Sequence, residues 1–243
     1  MNYAFVSDLH GDADSVKEMH RRYKDDRTTT AVFLGDYTDG RQGDNAEMVA
    51  TLMKIANHED FNFANEPIFL RGNHDEFIVQ TALSNTAERY IAEKTWMLNG
   101  GRRTLQQLGY DELMPVRQFL NDNYAEYVQW LNSLWYVFET DLFYAVHAGL
   151  DMTLDQPRLT SQVEKVWVRE NYYMQPNRIG KMMITGHTPT QTLGASGNPI
   201  VLDRKDPHRY MIDGGVNSSK NKHYANVLTV TADGTVSFEK LTY

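Results

Sequence analysis

The chain has 243 residues, 41% of them hydrophobic, no cysteine and a formal net charge of −8 at pH 7. The missing thiols exclude disulfides, a cysteine nucleophile and thiolate-bound zinc, and they fit a reducing compartment. The acidic balance argues against a nucleic-acid partner, which calls for a basic face, but not against a small anionic substrate beside local metal charge. Tyr3–Val6 is a short apolar run that ends in the polar turn Ser7–Gly11 and predicts a first strand. A helix should follow, capped by Asp12 or Asp14, with Val16, Met19 and Tyr23 on one face. Ala31–Leu34 reads as a second buried strand. Asp44 can cap the next helix, where Met48, Leu52 and Ile55 recur at helical spacing. Ile68–Leu70 is a third strand running into a Gly-Asn turn. Strand, polar turn and helix in alternation mark an α/β fold, with ligand groups expected just beyond strand C-termini.

From about Phe77 to Trp135 the pattern becomes helical. Pro115 suits a first turn, and Val116, Phe119, Leu120, Tyr124, Tyr127, Leu131 and Leu134 follow at helical spacing. This block reads as an insertion over the strand-end face. Strands are expected again at Tyr136–Glu139, Phe143–Val146, Met182–Thr185, Ile200–Leu202, Tyr210–Ile212, Asn226–Thr231 and Thr235–Leu241. Asp233-Gly234 predicts a hairpin between the last two. No stretch approaches the roughly 18 apolar residues of a membrane span, and no signal-peptide pattern opens the chain. A soluble, cytoplasmic protein without a membrane partner is therefore expected.

Five polar clusters each follow a strand-like run. They are Ser7-Asp8-Leu9-His10-Gly11, Gly35-Asp36-Tyr37-Thr38-Asp39-Gly40, Arg71-Gly72-Asn73-His74-Asp75, Val146-His147-Ala148-Gly149 and Thr185-Gly186-His187-Thr188. Each sets Asp, Asn or His beside a glycine. Strand ends are rigid mounts, and nitrogen and oxygen donors of this kind suit divalent Mn²⁺, Fe²⁺ or Zn²⁺. Any one cluster is more simply a turn. Five in register with five strands are not.

In this order the clusters resemble the calcineurin-like metallophosphoesterases, and within them the bacterial and phage members of the phosphoprotein-phosphatase branch. The resemblance covers Ser7 to Gly215. It implies one α/β domain over residues 1–243, a four-layer α-β-β-α sandwich with two mixed sheets, capped by a helical insertion near 77–135. It implies a pair of divalent ions, Mn²⁺ foremost and Fe²⁺ or Zn²⁺ as alternatives. Asp8 and His10 would hold the first ion, Asp36 would bridge, and Asn73, His147 and His187 would complete the second. Hydroxide between the ions would attack phosphorus. His74 would be the general acid, oriented by Asp39. Arg71 and Arg169, the latter in Val166-Trp167-Val168-Arg169, would grip phosphate. The Asn99-Gly100-Gly101 turn with Thr104-Leu105 would border the pocket, and Asp213 would stand behind the ligands. Two departures stand out: Gly40 occupies a position where an arginine is common, with Arg41 one place later, and Asp75 replaces a commoner glutamate.

The implied substrates are phosphomonoesters, above all phosphoserine or phosphothreonine in proteins, or a small phosphoester. The nearest rival is a dinucleoside polyphosphate such as diadenosine tetraphosphate, and a third reading is a scaffold without turnover. Outside the clusters, His20, His58, His208 and His223 read as solvent-facing or locally bonded, and Met182-Met183 as core. Tyr90, Trp96, Tyr124, Tyr127 and Trp130 fit helix packing better than base stacking. Arg102-Arg103 reads as a solvated pair that could meet an acidic substrate.

Overall fold

Alternate residues of the first strand face opposite ways, and this sets the layering. In a computed structural model that describes residues 1–203, 207–217 and 225–241, β1 (Asn2–Val6) pairs in parallel with β2 (Thr29–Phe33), and β2 with β3 (Ile68–Phe69). Parallel neighbours require crossovers. These are α1 (Ala13–Tyr23) and α2 (Asn45–Ala56), capped by Asp12, which accepts the Ser15 N–H at 3.2 Å, and by Asp44, which accepts the Glu47 N–H at 2.9 Å. Val16 and Met19 of α1 and Met48, Leu52 and Ile55 of α2 pack on Ala4, Val6, Ala31 and Phe33. The hairpin β9 (Asn226–Val230) and β10 (Val236–Lys240) completes the order β10-β9-β1-β2-β3, antiparallel on that edge.

The second sheet orders β4 (Val137–Glu139), β5 (Phe143–Val146), β6 (Met182–Thr185), β8 (Arg209–Met211) and β7 (Ile200–Leu202). Its three central strands are parallel and its edges antiparallel. The opposite face of β1 and β2 supplies Phe5 and Val32, which meet Phe143, Ala145, Ile184 and Ile212 between the sheets. Phe5 and Phe143 pack edge to face with centroids 5.1 Å apart. Full burial of such a side chain contributes about 1.5–3 kcal/mol. The outer face of the second sheet buries Tyr144, Val146, Met183 and Met211 under Tyr172 of a one-turn helix at Glu170–Tyr173. The architecture is thus α/β, two mixed five-stranded sheets face to face with helices outside, as expected from the metallophosphoesterase fold.

The segment from Asn73 to Ser133 forms α3 (Asn73–Leu83), α4 (Glu88–Trp96), α5 (Arg102–Gln107), α6 (Val116–Asn123) and α7 (Ala125–Ser133). Phe77 and Ile78, Phe119 and Leu120, and Tyr127 and Leu131 share the core of α1 and α2. The apolar periodicity after Pro115 is split in two. Tyr124 leaves the helix with φ −133° and ψ 26°, and its hydroxyl donates to the Leu108 carbonyl at 2.7 Å. Pro115 lies just before α6 rather than inside it. Tyr90 does not pack: it is exposed, under the Arg89 guanidinium. His20 and His208 bond locally to the Asn62 and Asp203 carbonyls, His58 is exposed, and His223 lies outside the described residues. Among the described residues no helix is long and apolar enough to cross a membrane.

Candidate metal centre and active site

The strand ends converge. Asp8 and His10 follow β1, Asp36 and Asp39 follow β2, Asn73 and His74 open α3 after β3, His147 follows β5 and His187 follows β6. A cavity of about 280 Å³ is lined by Asp8, His10, Asp36, Asn73, His74 and His187, with Arg41, Arg169, Pro189, Asp213, Gly215 and Asn217 around them. His147 is fully buried next to it. The turns are sharp: Asp8, His10, Asp36, Asp39 and His187 hold φ of 55°, 45°, 60°, 73° and 63°. Asp and His tolerate the left-handed region better than most residues, yet it still strains the backbone.

Each candidate imidazole ligand has one nitrogen committed to a carbonyl. His10 Nδ1 bonds Thr38 O at 2.8 Å, His147 Nδ1 bonds Leu34 O at 2.8 Å, and His187 Nε2 bonds Trp167 O at 3.2 Å. The carbonyl takes one N–H, and in His10 and His187 the other nitrogen keeps a lone pair, the form a metal ligand needs. In His147 the Asp36 charge, against burial, raises the pKa to about 10, so a metal ion would displace a proton from Nε2. Those nitrogens gather round Asp36, whose Oδ2 lies 3.5 Å from His147 Nε2 and 3.8 Å from His10 Nε2. Asn73 Oδ1 is 3.1 Å from His147 Nε2. Two clusters result, His10–Asp36–His74 and Asp36–His147–His187, with ligand atoms within 4.8 Å of one another and Asp36 in both. Asp8 lines the cavity without joining either; its Oδ2 accepts from the Ser7 hydroxyl and from the His187 N–H at 2.9 Å.

The electrostatics favour a cation here. Asp8, Asp36 and Asp213 are all buried. Burial, and next the charge of Asp8, holds the Asp213 carboxyl well above the usual carboxylate range. Burial leads in lowering the pKa of His10 and His187, which keeps both neutral. Packed carboxylates and neutral imidazoles without thiolate suit borderline-hard divalent ions, so the residues fit a pair of them. The second and third turns are locked together by Asp75, which accepts the Asp36 and Gly72 N–H groups at 2.8 Å each. Gly72 is required by proximity, since a Cβ there would fall 2.1 Å from Asp36 Oδ1.

His74 Nδ1 is 2.8 Å from Asp39 Oδ2. Burial would lower the His74 pKa, but the Asp36 charge and the Asp39 hydrogen bond outweigh it and raise it to about 9. Asp39 is fully buried and gripped from behind by Trp96 Nε1, at 2.9 and 2.8 Å from its two oxygens, and by the Thr104 hydroxyl at 2.6 Å.

The arginines divide. Arg169 lines the cavity, with Nη1 donating to His187 O and Thr188 Oγ1 at 3.0 Å each. Arg41 also reaches the cavity wall, and its backbone N–H donates to Asn217 Oδ1 at 2.9 Å. Arg71 does not come to the cavity. It is buried in a separate groove, where Nη1 donates to Glu76 and to the Tyr136 hydroxyl, both at 2.9 Å, and Nη2 to Asn132 O. Glu76 already neutralises it, so the expected phosphate contact gives way to an internal ion pair. Arg103 donates to the Gly40 and Gly43 carbonyls, and Arg102 faces Glu112. The sequence reading did not mark Pro189 or Asn217 as part of the site, nor the bond from Trp96 to Asp39. The signal for Trp96 was its indole N–H, which needs an acceptor once buried.

No curated protein matches the chain in sequence. Among solved structures it is similar to a metallophosphoesterase from Sphaerobacter thermophilus, at 18% identity and TM-score 0.53, covering 100% of this chain and 89% of that one. It is also similar to a protein serine/threonine phosphatase from Saccharomyces cerevisiae, at 14% identity and TM-score 0.56, covering 100% and 80%. A cold-active protein-tyrosine phosphatase of Shewanella sp. aligns at 16% identity and TM-score 0.54, over 99% and 80%. Identities this low establish the shared fold and no more. The family model described as calcineurin-like phosphoesterase matches residues 1–217, and the chain therefore belongs to the calcineurin-like phosphoesterases, a family of metal-dependent phosphoester hydrolases.

Proposed function

We propose that the chain hydrolyses phosphomonoesters, with phosphoserine or phosphothreonine in proteins as the foremost substrate class. The observation that carries this is the buried Asp39–His74 pair opening onto a cavity that also presents Arg41 and Arg169. Asp8, His10, Asp36, Asn73, His147 and His187 would hold two divalent ions, Mn²⁺ foremost. Such ions lower the pKa of water and draw in phosphoryl oxygens when bound. Arg169 and Arg41 supply guanidinium donors that match phosphate oxygens in paired geometry. Asp39 holds the Nδ1 proton of His74, which leaves Nε2 to deliver a proton to the departing oxygen. The Asp39 carboxylate favours the protonated ring and so helps hold that proton in place. Among the described residues the cavity lining contains no Phe, Tyr or Trp to stack an adenine, which favours a monoester over a dinucleoside polyphosphate.

The test is leaving-group dependence. An alkyl phosphate leaves as a basic alkoxide and needs a proton, whereas p-nitrophenolate leaves largely unaided. His74→Asn should lower kcat on a phosphoserine peptide by about 10²–10³ and much less on p-nitrophenyl phosphate, with metal content unchanged. Equal loss on both substrates, or loss of metal, would make His74 a ligand or a phosphate-positioning group. Faster turnover of diadenosine tetraphosphate than of phosphopeptide would overturn the substrate class.

A further inference from the structure

The helices beside the cavity contain a distortion whose effect falls on one carboxylate. Between α4 and α5 the chain makes a π-type turn over Met97–Gly101, where Asn99 has φ −108° and ψ 24° and Gly100 has φ 114°. A Cβ on Gly100 would lie 2.5 Å from the Asp39 carbonyl oxygen and 2.8 Å from the Asp39 Cβ. Only glycine therefore lets this turn lie against Asp39, and its positive φ excludes other residues independently. The turn places Trp96 on one side of it and Thr104 on the other. Trp96 Nε1 bridges both oxygens of Asp39, at 2.9 and 2.8 Å. Thr104 Oγ1 donates to Asp39 Oδ1 at 2.6 Å and accepts the Asp39 N–H at 3.2 Å. Trp96, Thr104 and Asp39 are all fully buried. Asp39 itself stands at φ 73°, a conformation that needs support from its surroundings.

We propose that Trp96 and Thr104 are positioning residues that fix the Asp39 carboxylate and, through it, the plane of the His74 imidazole. Asp39 has one remaining use for its Oδ2, the 2.8 Å bond to His74 Nδ1. With two donors holding the carboxylate, that oxygen has a single direction in which to accept. Without them the carboxylate rotates, and the imidazole loses its orientation while its chemistry stays intact. The catalytic consequence rests on the reading of His74 as the acid, but the geometric claim does not.

The experiment uses Thr104→Val, which keeps the shape and removes the hydroxyl, Thr104→Ser, which restores it, and Trp96→Phe, which removes the indole N–H together with part of the buried ring. Proton NMR of the metal-free and Mn²⁺-depleted, Zn²⁺-loaded protein reads the His74 Nδ1–H directly, identified by its absence in His74→Asn. In Thr104→Val and Trp96→Phe this resonance should move upfield and exchange faster with water, and in Thr104→Ser it should return to the wild-type position. On a phosphoserine peptide the first two variants should lose about 10- to 100-fold in kcat with KM unchanged, the usual range for a group that orients another, and lose far less on p-nitrophenyl phosphate. A wild-type resonance in both Thr104→Val and Trp96→Phe overturns this inference and leaves the acid role standing. A displaced resonance with full turnover of the phosphoserine peptide upholds the positioning and overturns the acid role instead. If Thr104→Val does not fold, Trp96→Phe against Thr104→Ser carries the same comparison.

Discussion

Replacing Asp36 by asparagine separates the two things this residue does. Its Oδ1 accepts the His74 N–H at 2.9 Å, which an asparagine oxygen does equally well. Its charge is shared by both clusters of metal-binding groups, and that is lost. A ligand at a hundredfold excess over its Kd stabilises the folded state by about 2.7 kcal/mol per site. For a chain of 243 residues, each kcal/mol moves Tm by about 2–4 °C, so two sites should raise it by about 10–20 °C. Asp36→Asn should lose most of that rise, whereas Asp8→Asn, outside both clusters, should retain a large part. Without metal two effects oppose each other. Removing the charge relieves the repulsion that, after burial, pushes the Asp75 carboxyl up. It also removes the attraction of His147 and His74 that, against burial, holds the Asp36 carboxyl well below the usual carboxylate range. The attraction outweighs the repulsion, so metal-free Asp36→Asn should melt below the wild type, but by less than the metal-loaded variant does. The assay is thermal unfolding by circular dichroism with and without Mn²⁺, alongside metal content. An Asp36→Asn protein that keeps the full Mn²⁺-induced rise would refute the shared-ligand reasoning.

A strong chelator should abolish turnover of p-nitrophenyl phosphate and Mn²⁺ should restore it best; full activity in metal-stripped protein would refute the metal assignment. Arg169→Ala should raise KM and lower kcat together, and kinetics equal to wild type would make Arg169 a plain structural residue. Arg71→Ala should leave KM near wild type and instead lower stability by about 3–5 kcal/mol in denaturant unfolding, because Glu76 is left buried and unpaired. The pKa of Glu18 is lowered to about 2, first by its hydrogen bond from Arg21 and also by Arg22, against burial. A carboxylate depressed on folding stabilises above its unfolded pKa, so the contribution is whole above about pH 4.5 and lost as pH falls toward 2. Because Arg21 is largely exposed, Glu18→Gln should cost no more than about 1 kcal/mol at pH 7, and the deficit should close in acid unfolding titrations.

The parts legible in the sequence were those that a strand or a cap encodes locally. Asp12 and Asp44 precede apolar residues at helical spacing, and a carboxylate just before such a run has few uses other than to accept the first free N–H groups. Asp8, Asp36, Asn73, His147 and His187 each follow an apolar strand by one to four residues, so finding the strands located them. Arg71 shows where this stops. An arginine after a strand looks the same whether it meets a phosphate or an internal carboxylate, and the groups that decide are Glu76, one turn into α3, and Tyr136, which is brought in by the second sheet. Trp96 was hidden for a different reason: helical spacing explains an aromatic as packing, and packing is true of its ring. Only its nitrogen has a second role, and its acceptor is 57 residues away. The break at Tyr124 was invisible because α6 and α7 keep one apolar phase across it.

The same turns that carry the ligands also work against the fold. Asp8, His10, Asp36, Asp39 and His187 are all left-handed, each at a cost of about 1–3 kcal/mol, and buried like charges add to that. Together this is comparable with the whole stability of an ordinary domain, about 5–15 kcal/mol, and the compensation must come from parts that do no chemistry. The intersheet layer around Phe5 and Phe143 and the helical core around Met48, Phe119 and Tyr127 are such parts. Asp75 works differently, since by accepting from both Asp36 and Gly72 it ties the strained turn after β2 to the turn after β3. Both of those N–H groups go to Oδ2, while Oδ1 accepts the Tyr37 N–H at 3.3 Å. In Asp75→Asn the amide oxygen therefore keeps the first two, and the side-chain NH₂ is set against the Tyr37 N–H. That variant should destabilise the protein by a similar amount with metal absent and present, whereas the loss in Asp36→Asn should grow when metal is bound. Equal melting of metal-free Asp75→Asn and wild type would show that the turns hold their shape without it.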